Sequence, residues 1–199
     1  RGLKPYTPGE QPDNPQTIKL NTNENPFAPP QAVLAQIQQR VNEQLRLYPE
    51  ATHASLRQEA ARVWHVAPEQ IFVGNGSDEV LSLILRAFSE KGQALTTAHP
   101  SYSLYPVLAQ MYGLRLRQSP VSAPFILNPE DLMGDQALTL IANPNAPTGQ
   151  ALSSRQIARI AQTNPGLVVV DEAYIGFGAE SALGLVQQYD NLLLTRTFS

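Results

Sequence analysis

The sequence predicts an α/β fold: a mostly parallel central sheet with helices on both faces, preceded by an extended N-terminal arm. Short apolar segments alternate with stretches whose apolar residues recur every three or four positions, which is typical of successive βαβ units. The segment 167–170 is entirely apolar, as expected for a strand covered on both faces. Seven prolines in residues 1–30 argue against regular structure there, so we assign 1–30 to the arm and 31–199 to part of a larger α/β domain.

The predicted elements follow the arm in chain order. Two amphipathic helices come first, at 31–47 and at about 52–64. A strand–helix alternation then begins, and Ser77 or Asp78 is expected to cap its first helix. A further helix is expected at 102–112. The strands are predicted at 71–73, 94–97, 114–117, 138–142, 167–170 and 191–195.

The composition argues against several classes of protein. The 199 residues carry 14 Lys and Arg against 17 Asp and Glu, so neither nucleic acid nor an anionic membrane is an expected partner. No apolar run reaches the ~18 residues of a membrane span. The absence of cysteine favours a cytoplasmic location, and with only three scattered histidines we expect no metal site. Because the sequence starts at Arg1 rather than Met, we expect the natural start to lie upstream.

Polar residues follow the predicted strands at their carboxyl ends, where ligands bind in parallel sheets. After the first strand, residues 74–79 read Gly-Asn-Gly-Ser-Asp-Glu. The two glycines permit a tight turn, and the helix that follows presents free N–H groups suited to a phosphate. Taken alone, this segment is more typical of an ordinary strand-to-helix turn. Glu79 stands where a dinucleotide-binding motif needs a third glycine, and the P-loop sequence of nucleotide-binding proteins is absent.

Other strand ends carry further candidate ligand groups. Tyr102 follows the second strand and could stack on a planar ligand, although a lone tyrosine is more often a core residue. Residues 143–149 form a turn rich in proline and amide side chains. Asp171 directly follows a buried strand, where a carboxylate costs several kcal/mol unless it is paired. With the hydroxyls of Thr197 and Ser199, these groups predict a site for a planar, phosphorylated heteroaromatic molecule with a basic nitrogen.

Seven motifs in this order resemble the class I/II aminotransferases, a family of fold-type I pyridoxal-phosphate enzymes. The Asn-Glu-Asn-Pro sequence at 23–26 is similar to that of the histidinol-phosphate branch of the family. The resemblance runs over essentially the whole chain and implies that it is the N-terminal portion of such an enzyme. The motifs lie at 19–26, 48–49, 76–79, 100–102, 144–149, 171–174 and 196–199.

The resemblance implies pyridoxal 5'-phosphate as the cofactor and assigns its phosphate to one group of residues. The backbone N–H groups of Gly76, Ser77 and Asp78 would bind the phosphate. Thr197 and Ser199 would flank it. In the family, the lysine to which the cofactor is covalently bound comes next, so we expect it immediately after Ser199 and expect no catalytic residue within this chain.

A second group is expected around the cofactor ring. Tyr102 would stack on the ring, Asp171 would pair with the protonated ring nitrogen, and Tyr174 would hydrogen-bond the ring hydroxyl. Many family members have an asparagine just before Pro147 for a further contact with that hydroxyl. Here the residue is Ala146, and the resemblance then leaves Asn145 as the amide that we expect to take over this contact.

The family also implies an assembly and a reaction. Tyr48 would reach the cofactor phosphate of a neighbouring subunit, and Tyr6 in the arm would reach its substrate, so we expect a homodimer with shared active sites. The reaction implied is amino transfer between histidinol phosphate and 2-oxoglutarate. The alternatives are an aromatic amino acid aminotransferase or a threonine-phosphate decarboxylase of the same fold. Outside the family, the alternative is a non-catalytic cofactor- or dinucleotide-binding module.

Overall fold

The computed structural model describes residues 10–14, 16–21, 23–121 and 123–199. The described residues fall into two units, one ending at Ile71 and the other beginning at Phe72. This boundary groups the two N-terminal helices with the described part of the arm. The division at residue 30 stays a prediction, as does the cytoplasmic location. Among the described residues, no helix has the length and apolarity to cross a membrane.

The first unit contains helices α1 (Gln31–Arg40) and α2 (Ala54–Trp64). The helix predicted over 31–47 is therefore too long: α1 ends at Arg40, and a short 3₁₀ turn, Glu43–Arg46, follows. The cause is Asn42, whose side chain accepts a hydrogen bond from the backbone N–H of Gln44 and so caps a new turn instead of continuing the old helix.

The second unit is a five-stranded sheet in the order β2-β1-β3-β4-β5, with every neighbouring pair parallel. The parallel sheet predicted from the sequence is confirmed. Its strands are β1 (Ala94–His99), β2 (Arg115–Pro120), β3 (Leu138–Ala142), β4 (Leu167–Asp171) and β5 (Leu192–Thr195). Its helices are α3 (Gly76–Phe88), α4 (Leu104–Met111) and α5 (Ser154–Thr163).

Helices cover both faces of this sheet. Leu81 and Leu85 of α3 and Leu108 of α4 belong to one buried cluster, and Ile157 and Ile160 of α5 belong to another. The interior strand β4 supplies both clusters: Val169 lies in the first, whereas Val168 and Val170 lie in the second. This alternation explains why the sequence of β4 is apolar at successive positions.

The strand predicted at 71–73 is wrong. Ile71 has an extended backbone, but no strand among the described residues pairs with this segment, and Phe72 is largely exposed. An apolar run indicates a strand only where a neighbouring strand accepts its hydrogen bonds. The predicted cap of the next helix is also wrong, because α3 already begins at Gly76 and the residue before it, Asn75, makes no side-chain capping bond.

Candidate active site

The order of the strands marks a place where a ligand is expected. The chain passes from β1 outward to β2 and then returns to β3 on the other side of β1, so the connection changes direction between β1 and β3. In doubly wound sheets, ligands bind beside such a switch point, at the carboxyl ends of the strands. The Nδ2 of Asn145, after β3, donates a hydrogen bond to the carbonyl oxygen of Pro100, after β1, at 3.0 Å. The two loops at the switch point are thus joined directly.

Asp171 ends β4 and is 5% exposed. Its Oδ1 accepts hydrogen bonds from Thr195 Oγ1 at 3.0 Å and from the backbone N–H of Ala173 at 3.2 Å, and its Oδ2 accepts one from the Tyr105 hydroxyl at 3.0 Å. None of the salt bridges among the described residues involves Asp171. Burial raises the pKa of Asp171, although these hydrogen bonds favour the charged form and oppose the rise.

The neighbouring acid, Glu172, has the opposite environment. Its side chain is fully buried and forms a salt bridge with Arg196, whose Nε and Nη2 lie 3.0 and 2.8 Å from Glu172 Oε2. Ser181 and the backbone N–H of Ala182 also donate to this carboxylate. Of the two adjacent carboxylates at the end of β4, one is therefore paired with a cation and the other, Asp171, is paired only with neutral donors.

Tyr102 lies beside Asp171 and the start of α3. Its hydroxyl donates a hydrogen bond to Asp78 Oδ1 at 2.9 Å, and its ring meets the ring of Tyr105 edge to face, with centroids 5.6 Å apart. Burial raises the pKa of Tyr102, and the hydrogen bond with Asp78 and the charge of Asp171 raise it further. Tyr102 therefore stays protonated and neutral, as a stacking residue should.

The N-terminus of α3 leaves some of its N–H groups available. Gly76 has a φ of +82°, which favours glycine. The two carboxylates of the first turn are engaged elsewhere: Asp78 accepts from Tyr102, and Glu79 accepts from the backbone N–H of Asn75 at 2.5 Å. The N–H of Gly76, which the sequence assigned to the phosphate, donates instead to the carbonyl oxygen of Gly74 at 3.1 Å. The N–H groups of Ser77 and Asp78 are bonded to neither carboxylate and keep the capacity for a phosphate.

Asn145 is almost completely buried, and both of its N–H donors are in use. Nδ2 donates to the carbonyl oxygen of Pro100 and to Thr148 Oγ1, which fixes the orientation of the amide. Its Oδ1 is buried without a partner among the described residues. Asn145 therefore has an acceptor, not a donor, left for a ligand. Its expected contact with the ring hydroxyl stays a prediction.

The structure places the other predicted site residues as follows. Tyr174 follows β4, half-buried, and is close enough to raise the pKa of Tyr102. The hydroxyls of Thr197 and Ser199 lie 2.9 Å apart after β5. Tyr48 belongs to the first unit, where its side chain is fully exposed. Tyr6 lies outside the described residues.

Sequence reasoning missed two residues of this site, Tyr105 and Thr195, which are the side-chain donors to Asp171. The signals for them were indirect. Tyr105 lies three positions after Tyr102, a spacing that places both on one side of a helical turn. Thr195 pairs in register with Asp171 on the adjacent strand, so the two side chains point to the same face.

Comparison with known proteins identifies the family. The model for aminotransferase class I and II matches residues 15–199. The chain belongs to this family. It is 46% identical to the histidinol-phosphate aminotransferase of Acinetobacter baylyi, over 100% of this chain and 56% of that protein's length. The chain therefore spans about half the length of such curated relatives.

Solved structures of the family agree with the fold. The histidinol-phosphate aminotransferase of Sinorhizobium meliloti, in complex with pyridoxal-5'-phosphate, matches with a TM-score of 0.81 and 28% identity, over 89% of this chain and 51% of that one. The L-threonine-O-3-phosphate decarboxylase of Porphyromonas gingivalis matches with a TM-score of 0.72 and 25% identity, over 85% of this chain and 54% of that one. This member of the class I and II family accordingly corresponds to part of the family's large domain.

Proposed function

We propose that the full-length protein containing this chain is a pyridoxal-phosphate-dependent aminotransferase that transfers an amino group between histidinol phosphate and 2-oxoglutarate. The observation that carries the proposal is Asp171: a buried carboxylate at the carboxyl end of an interior strand, with neutral hydrogen-bond donors and no cationic partner among the described residues. A buried charge of this kind needs a cation, and the protonated ring nitrogen of the cofactor is one.

The residues present fit that cofactor. When bound, pyridoxal phosphate supplies an electron sink for the negative charge that develops at the Cα atom of the amino donor. Asp171 would keep the ring nitrogen protonated, which preserves the ability of the ring to accept that negative charge. Tyr102 would stack on the ring, and the N–H groups of Ser77 and Asp78 at the start of α3 would bind the phosphate. Tyr174, Thr197 and Ser199 are the further contacts that we propose.

The choice of substrate rests on the relatives. The histidinol-phosphate aminotransferase of Acinetobacter baylyi is 46% identical over the whole of this chain, which favours histidinol phosphate as the amino donor. A threonine-phosphate decarboxylase is the second candidate, because a solved decarboxylase has the same fold at 25% identity. Its lower identity places it behind the first candidate.

We also propose a homodimer with active sites shared between subunits. Helix α1 has no buried residue, and its apolar side chains at Val33 and Ile37 are exposed, as are those of Val41 and Leu45 beyond its end. Apolar residues at helical spacing are typical of a surface that packs against another element. A second subunit on this surface would also give Tyr48 the partner site that the family implies.

The experiment that tests the function uses purified full-length protein loaded with pyridoxal phosphate. Histidinol phosphate, phenylalanine and threonine phosphate are compared as amino donors, with glutamate formed from 2-oxoglutarate as the readout. The proposal expects kcat/KM to be highest with histidinol phosphate, by tenfold or more. A preference for phenylalanine, or release of CO₂ from threonine phosphate, would contradict the substrate assignment. No reaction with any amino donor would contradict the aminotransferase activity itself.

A further inference from the structure

Tyr105 connects a buried helix position to the carboxylate of Asp171. It is the second residue of α4 and is fully buried. Its hydroxyl donates to Asp171 Oδ2 at 3.0 Å, across 66 positions of sequence. Both burial and the nearby charge of Asp171 hold the pKa of Tyr105 well above its usual range, so the hydroxyl keeps its proton and acts as a donor.

The two oxygens of Asp171 are not used equally. Oδ1 accepts two hydrogen bonds, from Thr195 and from the backbone N–H of Ala173, whereas Oδ2 accepts only the bond from Tyr105. Each carboxylate oxygen offers about two acceptor positions. Oδ1 is therefore saturated, and Oδ2 is the oxygen that retains capacity for another donor.

Tyr105 also limits how the carboxylate can turn. With Thr195 holding one oxygen and Tyr105 the other, rotation of the Asp171 side chain would break a hydrogen bond on at least one side. The same Tyr105 ring packs edge to face against Tyr102, which in turn is hydrogen-bonded to Asp78 at the start of α3. Tyr105 thus contacts both Asp171 and Tyr102, the two residues that we expect to bind the cofactor ring.

We propose that Tyr105 is a positioning residue, which holds the carboxylate of Asp171 so that Oδ2 is the oxygen that binds the cationic nitrogen of the ligand. This inference rests on the proposed function. Donation by Tyr105 also favours the charged form of Asp171 against the effect of burial and of the nearby Asp78 charge. Without that bond, the carboxylate would be both less well oriented and more easily protonated.

The test compares Tyr105→Phe with Tyr112→Phe in the full-length protein. Tyr112 is the matched control, since its hydroxyl also forms a hydrogen bond in the core, to Ser82 Oγ at 2.7 Å, but lies outside the site. We expect Tyr105→Phe to raise the pKa of Asp171 in the cofactor-free protein. This pKa is measured by ¹³C NMR titration, and the spectrum of Asp171→Asn assigns the Asp171 signal. We expect Tyr112→Phe to leave this pKa unchanged.

Two further readouts use the loaded enzyme. A hydrogen bond to a charged group typically changes affinity at least tenfold, so Tyr105→Phe should weaken pyridoxal phosphate binding and lower kcat by about tenfold or more, with KM for the donor nearly unchanged. Thr195→Val should have a smaller effect, because Oδ1 keeps the bond from Ala173. Equal effects of Tyr105→Phe and Thr195→Val would overturn the assignment of Oδ2.

The proposal is also overturned if Tyr105→Phe leaves the pKa of Asp171 and the cofactor affinity as they are in Tyr112→Phe. This outcome is distinguishable from failure of the proposed function. An inactive wild-type protein would contradict the aminotransferase assignment, whereas the titration of Asp171 in the cofactor-free protein reports on Tyr105 whether or not the enzyme turns over.

Discussion

Replacing Glu172 with Gln should destabilise the protein strongly, because it removes the negative charge that pairs with the partly buried guanidinium of Arg196. Glu172 is 1% exposed and accepts four hydrogen bonds, two of them from Arg196. Removing one partner of a buried ion pair costs about 3–5 kcal/mol. The Arg196 side chain is 20% exposed and so regains some hydration, which favours the lower end of that range, about 3 kcal/mol. That loss is roughly a 100-fold change in the ratio of folded to unfolded protein.

The assay is urea unfolding of the full-length, cofactor-free protein, followed by circular dichroism. The matched control is Glu130→Gln, which removes a salt bridge with Arg159 of nearly the same length, 2.9 Å, in which both side chains are more than half exposed. Water already screens that pair, so the control should change the unfolding free energy little. Similar losses of unfolding free energy in Glu172→Gln and Glu130→Gln would refute the reasoning, since burial would then not determine how much a salt bridge contributes to stability.

Three other changes test separate parts of the structure. Asp171→Asn should stabilise the cofactor-free protein, because the pKa of Asp171 is raised in the folded state above its ordinary value of 3.8, so the wild type loses stability as the pH rises and this carboxyl ionises. In thermal unfolding, the stability advantage of Asp171→Asn over the wild type should therefore grow as the pH rises from about 4. An advantage that shrinks over this range would contradict the direction of the pKa shift. Gly166→Ala should cost about 1–3 kcal/mol or more in the same measurement, because its Cβ would lie 2.2 Å from the Ala137 carbonyl oxygen, whereas Gly184→Ala, with open space, should be tolerated. Deleting residues 1–30 should weaken dimerisation in sedimentation experiments, and an unchanged dimer would argue against a role for the arm in assembly.

The sheet could be predicted because a strand that is buried on both faces has a continuous run of apolar residues in the sequence. Val168, Val169 and Val170 alternate between two cores, so their segment is apolar at every position. The prediction was wrong at 71–73, which is also apolar, because an apolar run does not show whether a neighbouring strand is present to pair with it. The end of α1 was missed for a local reason: a polar side chain, that of Asn42, competes for the backbone.

The candidate site could be predicted only in part, because some of its contacts depend on how helices and strands pack together. Asp171 is recognisable because a carboxylate that directly follows a buried strand needs a partner. Its donors are not recognisable in the same way. Tyr105 reaches it across 66 positions through the packing of α4, and Thr195 reaches it through the register of β5 on β4. Both depend on how elements dock, which a single sequence does not specify.

The most direct test of the central claim, that Asp171 is the partner of a protonated ring nitrogen, is ¹⁵N NMR of the full-length protein loaded with pyridoxal phosphate labelled at that nitrogen. The chemical shift reports protonation without requiring turnover. We predict a protonated nitrogen in the wild type at neutral pH and an unprotonated one in Asp171→Asn. An unprotonated nitrogen in the wild type, or the same protonated shift in both proteins, would contradict the account.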